Sequence, residues 1–352
     1  MMLILCTFII LMIYLMLDEK KYKKYGVFIS FFLILFLFAF RNNVGVDDGN
    51  YKLYFELIKA GNIDEFFRIS GVEYSYFVIC KLFSILNLNY KSVFMFYTLV
   101  GFSFLWLTLK KNKFNKNEYL ILFLSFLSFS LIPFITVMRQ FVAAAIGIYV
   151  IYDQKINTKN ILLLVLAFLF HGSSIIFIPL FLISRIKIIN KKIIYIFMPI
   201  LAIILNYSGI FYSILKIILK GTSYYRYVIN AQTTTFGGSG IVVITMFLVY
   251  LFNLVCFKND LGNRNLKITL YLQMLFFSLY FLCNGLGVVC RLYYYFIILE
   301  PISLLLISKN LKKYKKLYFI GCICFLIFLV IYHAFVDLNR FSILNYSFNF
   351  WR

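Results

Sequence analysis

Residues 161–183 read ILLLVLAFLFHGSSIIFIPLFLI, 23 positions without one Asp, Glu, Lys or Arg. The run exceeds the roughly 20 apolar residues that a membrane-crossing helix needs. Its flanks argue against a simple crossing. Asp153–Asn160 before it and Ser184–Lys192 after it are both basic, and basic connections stay on the cytoplasmic side of a membrane. A single crossing would place them on opposite sides. A helical hairpin broken at His171-Gly172-Ser173-Ser174 resolves the conflict. Its arms are short, so other helices must enclose them, because non-helical backbone at membrane depth is tolerated only inside protein or beside a water-filled cavity.

Outward from this hairpin, apolar runs and polar connections alternate to both ends of the chain. Of 352 residues, 63% are hydrophobic and 14% charged, against about 45–50% and 25% in soluble domains. A soluble globular protein and a disordered one are both excluded. Apolar runs fall near 2–17, 26–40, 92–109, 118–135, 139–152, 193–206, 241–257, 268–283, 292–308 and 317–332. With the hairpin, they predict an all-α, polytopic integral membrane protein of about 10–12 transmembrane helices, re-entrant or broken near His171. On this reading residues 1–352 form a single polytopic membrane domain, with 41–72 and 206–240 as long loops on the outer side. The apolar run ahead of Asp18 lacks the leading positive charge of a cleavable signal and reads as a retained first span. Glu73–Leu88 carries Glu73 and Lys81 and, counted as a span, would put the Lys110 loop on the wrong side. It reads as amphipathic, interfacial or re-entrant.

The formal charge of +22 would point to nucleic acid in a soluble chain. Here six short connections hold 22 of the 35 basic residues and 5 of the 13 acidic ones. They are Asp18–Tyr25, Lys110–Glu118, Asp153–Asn160, Ser184–Lys192, Lys258–Lys267 and Lys309–Lys316. Most of the excess is therefore an orientation signal, and no nucleic-acid partner is expected. The 28 tyrosines and 43 phenylalanines read as an interfacial aromatic belt and packing residues. No Cys/His or carboxylate cluster has metal-ligand spacing, so neither a metal nor another cofactor is expected.

Outside the Lys-rich connections the chain favours arginine. Arg41 opens RNNVGVDDGNY, Arg139 lies in VMRQFVAAAIG, Arg226 in SYYRYVIN and Arg291 in CNGLGVVCRLYYY. A guanidinium grips phosphate oxygens with a planar fork and keeps its charge when partly buried. Arginines gathered at the outer membrane level suit a lipid-linked diphosphate head group; the structural alternative is that each snorkels or pairs with a nearby acid. His171 lies inside an apolar run, where a lone histidine is more often structural. The broken helix around it raises the case for a cavity in which an imidazole orients or deprotonates a sugar hydroxyl. Asp47 is the second acid–base candidate.

The segments RNNVGVDDGNYKLYF, VEYSYFVICKLF, MRQFVAAAIGIYV, LFHGSSIIFIPL and CRLYYYF resemble, in that order, the EpsG-like branch of the Wzy-type O-antigen and exopolysaccharide polymerases. The resemblance runs from Arg41 into the C-terminal tail. It implies a membrane glycosyltransferase that polymerises undecaprenyl-diphosphate-linked oligosaccharide repeat units. The implied location is the periplasmic face of the bacterial cytoplasmic (inner) membrane. The free sugar end of one unit attacks the anomeric carbon of another and releases undecaprenyl diphosphate. Carried over, Arg41 and Asp47 match the Arg…Gly-x-Asp element, Glu73 the following Glu, and Arg139 with Gln140 the Arg-Gln pair. His171 with Ser173 matches the His-x-Ser element, and Arg291 the Arg before a Tyr-rich helix. Asp48-Gly49 stand where the family commonly has an aromatic residue.

The roles expected are therefore catalysis by His171 or Asp47, diphosphate binding by Arg139, Arg291, Arg41 and Arg226, and substrate contacts by Glu73, Gln140 and Ser173. Besides the lipid-linked oligosaccharide, membrane lipids and a chain-length regulator are the partners expected. The competing readings are an O-antigen ligase-like transferase and a lipid-linked oligosaccharide flippase or transporter. A flippase would normally show internal symmetry, and none is evident.

Overall fold

Long apolar runs form helices because, away from water, backbone polar groups must bond within their own segment. The computed structural model describes residues 2–39, 47–110, 114–130, 137–184, 192–221, 225–229, 240–256, 264–283, 294–311, 314–333 and 335. Every regular element among them is helical. In chain order the principal helices are α1 (Met2–Met16), α2 (Glu19–Ala39), α3 (Asp48–Lys59), α4 (Ile63–Ser70), α5 (Tyr74–Ile85), α6 (Tyr90–Lys110), α7 (Lys116–Ser125), α8 (Met138–Asp153) and α9 (Thr158–Phe170). They continue as α10 (Phe177–Ile183), α11 (Lys192–Tyr207), α12 (Ile210–Ile218), α13 (Tyr225–Ile229), α14 (Gly240–Cys256), α15 (Arg264–Leu282), α16 (Leu299–Asn310) and α17 (Lys315–Tyr332).

Among the described residues, α2, α6 and α17 are long and apolar enough to cross a bilayer, and α11 with α12, bent by 76°, makes a fourth candidate. Seven shorter apolar helices of 10–17 residues accompany them. Large apolar side chains also face outward: on α9 alone Ile161, Leu162, Val165, Phe168 and Leu169 are exposed. Such a surface would be a liability in water and is the expected face toward lipid. The chain is an all-α polytopic membrane protein.

Local signals fix the helix ends. Asn115 and Glu118 form a reciprocal capping box at the start of α7, and the Asn157 side chain accepts the Asn160 N–H at 2.9 Å to open α9. Gly71, at φ +53, closes α4 in the left-handed conformation that glycine adopts without steric cost. The expected break at His171 is present. After α9 the His171 backbone is extended, Gly172–Ile176 form a 3₁₀ turn, and α10 follows. Glu73–Leu88 supplies α5, which at 12 residues is too short to cross a bilayer. The two regions read as outer loops are not without structure. Residues 41–72 contain α3 and α4, and 206–240 contain α12 and α13.

The chain divides into two compact units, Met1–Ile183 with Lys313–Arg352, and Ser184–Lys312. In the first, α8 is buried almost from end to end and packs against α6 and α9. Its Ala143-Ala144-Ala145 run is fully buried, since small residues let membrane helices approach closely. A Cβ on Gly101 of α6 would overlap the Phe141 ring, and one on Gly147 would overlap Phe177 just beyond the His171 break. In the second unit, α11 packs on α15, and α14, α15 and α16 pack on one another.

Gly147→Leu should lower the thermal midpoint of the detergent-purified chain by several degrees, since overpacking a tight contact costs about 1–3 kcal/mol. Gly321→Ala, where nothing lies within 4 Å of the added Cβ, should leave it unchanged. Equal midpoints for both variants would contradict the close α8–Phe177 contact.

Candidate functional site

Ionisable side chains in a membrane protein must find partners or water. In the first unit three of them find each other. Glu73 stands at the N-cap of α5 with extended backbone (φ −66°, ψ 148°), where Gly71 has just turned the chain. Arg139 is the second residue of α8, and His171 sits at the break after α9. Glu73 lies between the other two. Its Oε1 is 2.6 Å from His171 Nδ1 and accepts the Gly172 backbone N–H at 2.9 Å. Its Oε2 is ion-paired with Arg139 Nη1.

The charges are only partly withdrawn from solvent. Side-chain exposure is 15% for Arg139, 22% for Glu73 and 26% for His171, so none of the three is sealed from its surroundings. An ionised carboxylate only accepts hydrogen bonds. Its contact with Nδ1 therefore places the proton on that nitrogen and makes Nε2 the basic atom of the neutral ring. This is the carboxylate–imidazole relation by which a histidine is oriented for general-base work.

Arg139 has a second support. Its Nε donates to the Tyr51 hydroxyl at 3.3 Å, and the guanidinium carbon is 5.7 Å from the Tyr51 ring centroid. Tyr51, on α3, is buried, and its carbonyl accepts the Tyr76 hydroxyl at 3.0 Å. Rings continue from Tyr51 to Tyr76, Tyr97 and then Phe170, whose neighbour is His171. The Ser75 hydroxyl donates to the Leu169 carbonyl, tying α5 to the last turn of α9. With Nη1 on Glu73 and Nε on Tyr51, Arg139 keeps Nη2 without a partner among the described residues.

Of the nine residues expected at the site, the structure joins Glu73, Arg139 and His171. Glu73, expected to contact substrate, bridges the guanidinium and the imidazole. Asp47 opens α3, and its carbonyl accepts the Tyr51 N–H at 3.0 Å. Gln140 is buried beside Arg139, while Ser173 is exposed on the 3₁₀ turn. Arg226 lies on α13 of the second unit; its side chain, and Arg41 and Arg291 entirely, lie outside the described residues. Tyr51 was not singled out from the sequence. The signal was helical spacing: Asp48, Tyr51, Phe55 and Ile58 form the buried stripe of α3, which marks Tyr51 as an inward residue and not an interfacial one.

Comparison with curated proteins and with solved structures gives no match. Comparison with family models matches residues 24–348 to the EpsG family. With a match over nearly the whole chain, including Glu73, Arg139 and His171, this protein belongs to the EpsG family.

Proposed function

We propose that this EpsG-family chain is a glycosyltransferase of the bacterial cytoplasmic membrane that polymerises undecaprenyl-diphosphate-linked oligosaccharide repeat units at the periplasmic face. One observation carries the reading: Glu73 holds an imidazole and a guanidinium in a single accessible cluster. Those are the two groups that transfer from a glycosyl diphosphate requires. The leaving group is already activated. The protein's tasks are to orient the attacking hydroxyl and to stabilise the charge that develops on the diphosphate.

In the proposed reaction an acceptor hydroxyl oxygen attacks the anomeric carbon of the donor unit. The bond from that carbon to the diphosphate oxygen breaks, and undecaprenyl diphosphate leaves with the electron pair. His171 Nε2 takes the hydroxyl proton, and Glu73 stabilises the imidazolium formed. Arg139 presents Nη2 to the diphosphate while Tyr51 and Glu73 fix its plane. Arg41, Arg226 and Arg291 are the further cations proposed for the head group, and Asp47, Gln140 and Ser173 the further polar contacts. Membrane lipids surround the site, and a chain-length regulator is a proposed partner.

A deletion strain should make single repeat units on the lipid carrier in place of long, modal-length polysaccharide, and complementation should restore the ladder on a gel. Unassembled units on the cytoplasmic leaflet would indicate a flippase instead, and long chains left on the carrier would indicate a ligase.

In membranes given a lipid-linked repeat unit, His171→Ala should slow polymerisation by about 10²–10⁴-fold and Arg139→Ala by about 10²–10³-fold, with protein levels unchanged. Glu73→Gln should also slow it and alter its pH profile, because the amide no longer fixes the imidazole tautomer. Near-normal chain length in all three variants would exclude this cluster as the site.

Tyr51→Phe keeps the ring and removes the acceptor for Arg139 Nε. A hydrogen bond to a charged group contributes about 1.5–3 kcal/mol, so turnover should fall by roughly 10–100-fold. In an Arg139→Ala background the same change should have no further effect. Additive losses would show that Tyr51 acts independently of Arg139.

A further inference from the structure

The second unit contains a polar cluster that the transfer chemistry does not use. Asn253 of α14, Gln273 of α15, and Glu300 and Ser303 of α16 are all at most 1% exposed. The amide hydrogens are fully assigned. Asn253 Nδ2 donates to Gln273 Oε1 at 2.8 Å and to Ser303 Oγ. Gln273 Nε2 donates to Glu300 Oε1 at 3.1 Å and to Ser303 Oγ at 3.3 Å. Each amide has two N–H groups, so none remains. Two buried acceptors are left without a donor, Asn253 Oδ1 and Glu300 Oε2.

The deficit is one of positive charge: the Ser303 hydroxyl hydrogen is left over, and it does not neutralise the carboxylate. Gln273 is the only hydrogen-bonding or ion-pairing partner of Glu300 among the described residues. The elements packed on α16 are α14, α15 and the turn Tyr294–Ile297. Their titratable or charged residues are Tyr250 and Cys256, then Arg264, Lys267, Tyr271 and Tyr280, then Tyr294 and Tyr295. None of those with a described side chain forms an ion pair with Glu300, and the Tyr250 hydroxyl donates elsewhere, to the Tyr195 carbonyl. A buried carboxylate in such surroundings is stable only with a compensating positive charge.

We propose that Glu300, within its buried cluster with Asn253, Gln273 and Ser303, is an internal binding site for one monovalent cation, a proton or an alkali-metal ion, at its unpartnered Oε2. Either occupant neutralises the carboxylate. A proton turns Oε2 into a donor, and a metal ion takes its free lone pairs. The site lies in the unit that does not contain Glu73, Arg139 and His171, so the proposal stands apart from the polymerase reading.

The test is thermal unfolding of the full chain in detergent, wild type against Glu300→Gln, from pH 5 to pH 9 in sodium, potassium or choline chloride. Glutamine is close to isosteric, neutral, and supplies N–H groups where the cation would sit. If a proton is bound, folding takes up one proton. The wild-type folding constant then falls tenfold per pH unit wherever the unfolded carboxyl is ionised and the folded one is not. Glu300→Gln loses that dependence, and the choice of salt has no effect. If an alkali ion is bound, sodium or potassium raises the wild-type midpoint over choline and leaves Glu300→Gln unmoved. Identical pH and salt responses in the two proteins overturn the proposal. Should Glu300→Gln fail to fold, the wild type alone decides: the absence of both a protonated-carboxyl infrared band at pH 8 and an alkali-dependent midpoint overturns the proposal.

Discussion

The Glu73 carboxylate is the interaction on which the site depends, because it joins three parts of the chain that are distant in sequence. Arg139 lies at the start of α8 and His171 just after the end of α9, and Glu73 reaches both from the start of α5. The Gly172 N–H on the same oxygen as His171 holds one end of the carboxylate to the broken backbone itself. The helix break then has a physical purpose: an unbroken α9 would bond that N–H within its own ladder. Removing Glu73 would leave an unpaired guanidinium and an imidazole without a defined tautomer, in a place where each is expensive to keep.

The packing around the cluster serves the same end. Gly101 lets Phe141 of α8 close on α6, and Gly147 lets Phe177 close on α8, so the helix that carries Arg139 is bordered by α6 and by the chain following His171. Tyr51, Tyr76, Tyr97 and Phe170 connect α3 to the break through successive ring contacts. Aromatic rings have few rotatable bonds, which makes them good spacers for holding charged groups at fixed separation. A site placed on helix ends and backed by such rings is better defined than one carried on long loops.

Much of this could be read from the sequence, for identifiable reasons. The break at His171 followed from the conflict between one apolar run and two basic flanks, a constraint imposed by the membrane and not by local propensity. Arg139 and His171 stood out because charged and titratable residues are rare in apolar surroundings. The bridging role of Glu73 was not legible, since spacing along the chain does not say which charges meet in space. The helices within residues 41–72 were hidden for a different reason: they are amphipathic segments in polar sequence, and a search for long apolar runs passes over them. Tyr51 was lost among 28 tyrosines until the buried stripe of α3 separated it from the rest.

The choice of arginine at position 139 follows from the number of partners it must serve. Nη1 pairs with Glu73, Nε bonds Tyr51, and Nη2 remains among the described residues. A lysine ammonium has a single nitrogen, and holding Glu73 would leave it no separate, directionally fixed donor for an incoming anion. The planar fork of a guanidinium keeps its charge compensated before substrate arrives and still offers an edge when it does. The Lys-rich connections carry most of the net charge of the chain, and a point charge suffices for the orientation signal expected of them. A charge that is neutralised in the resting protein and, in the proposed reaction, also serves a diphosphate requires several donors on one rigid group, which arginine supplies and lysine does not.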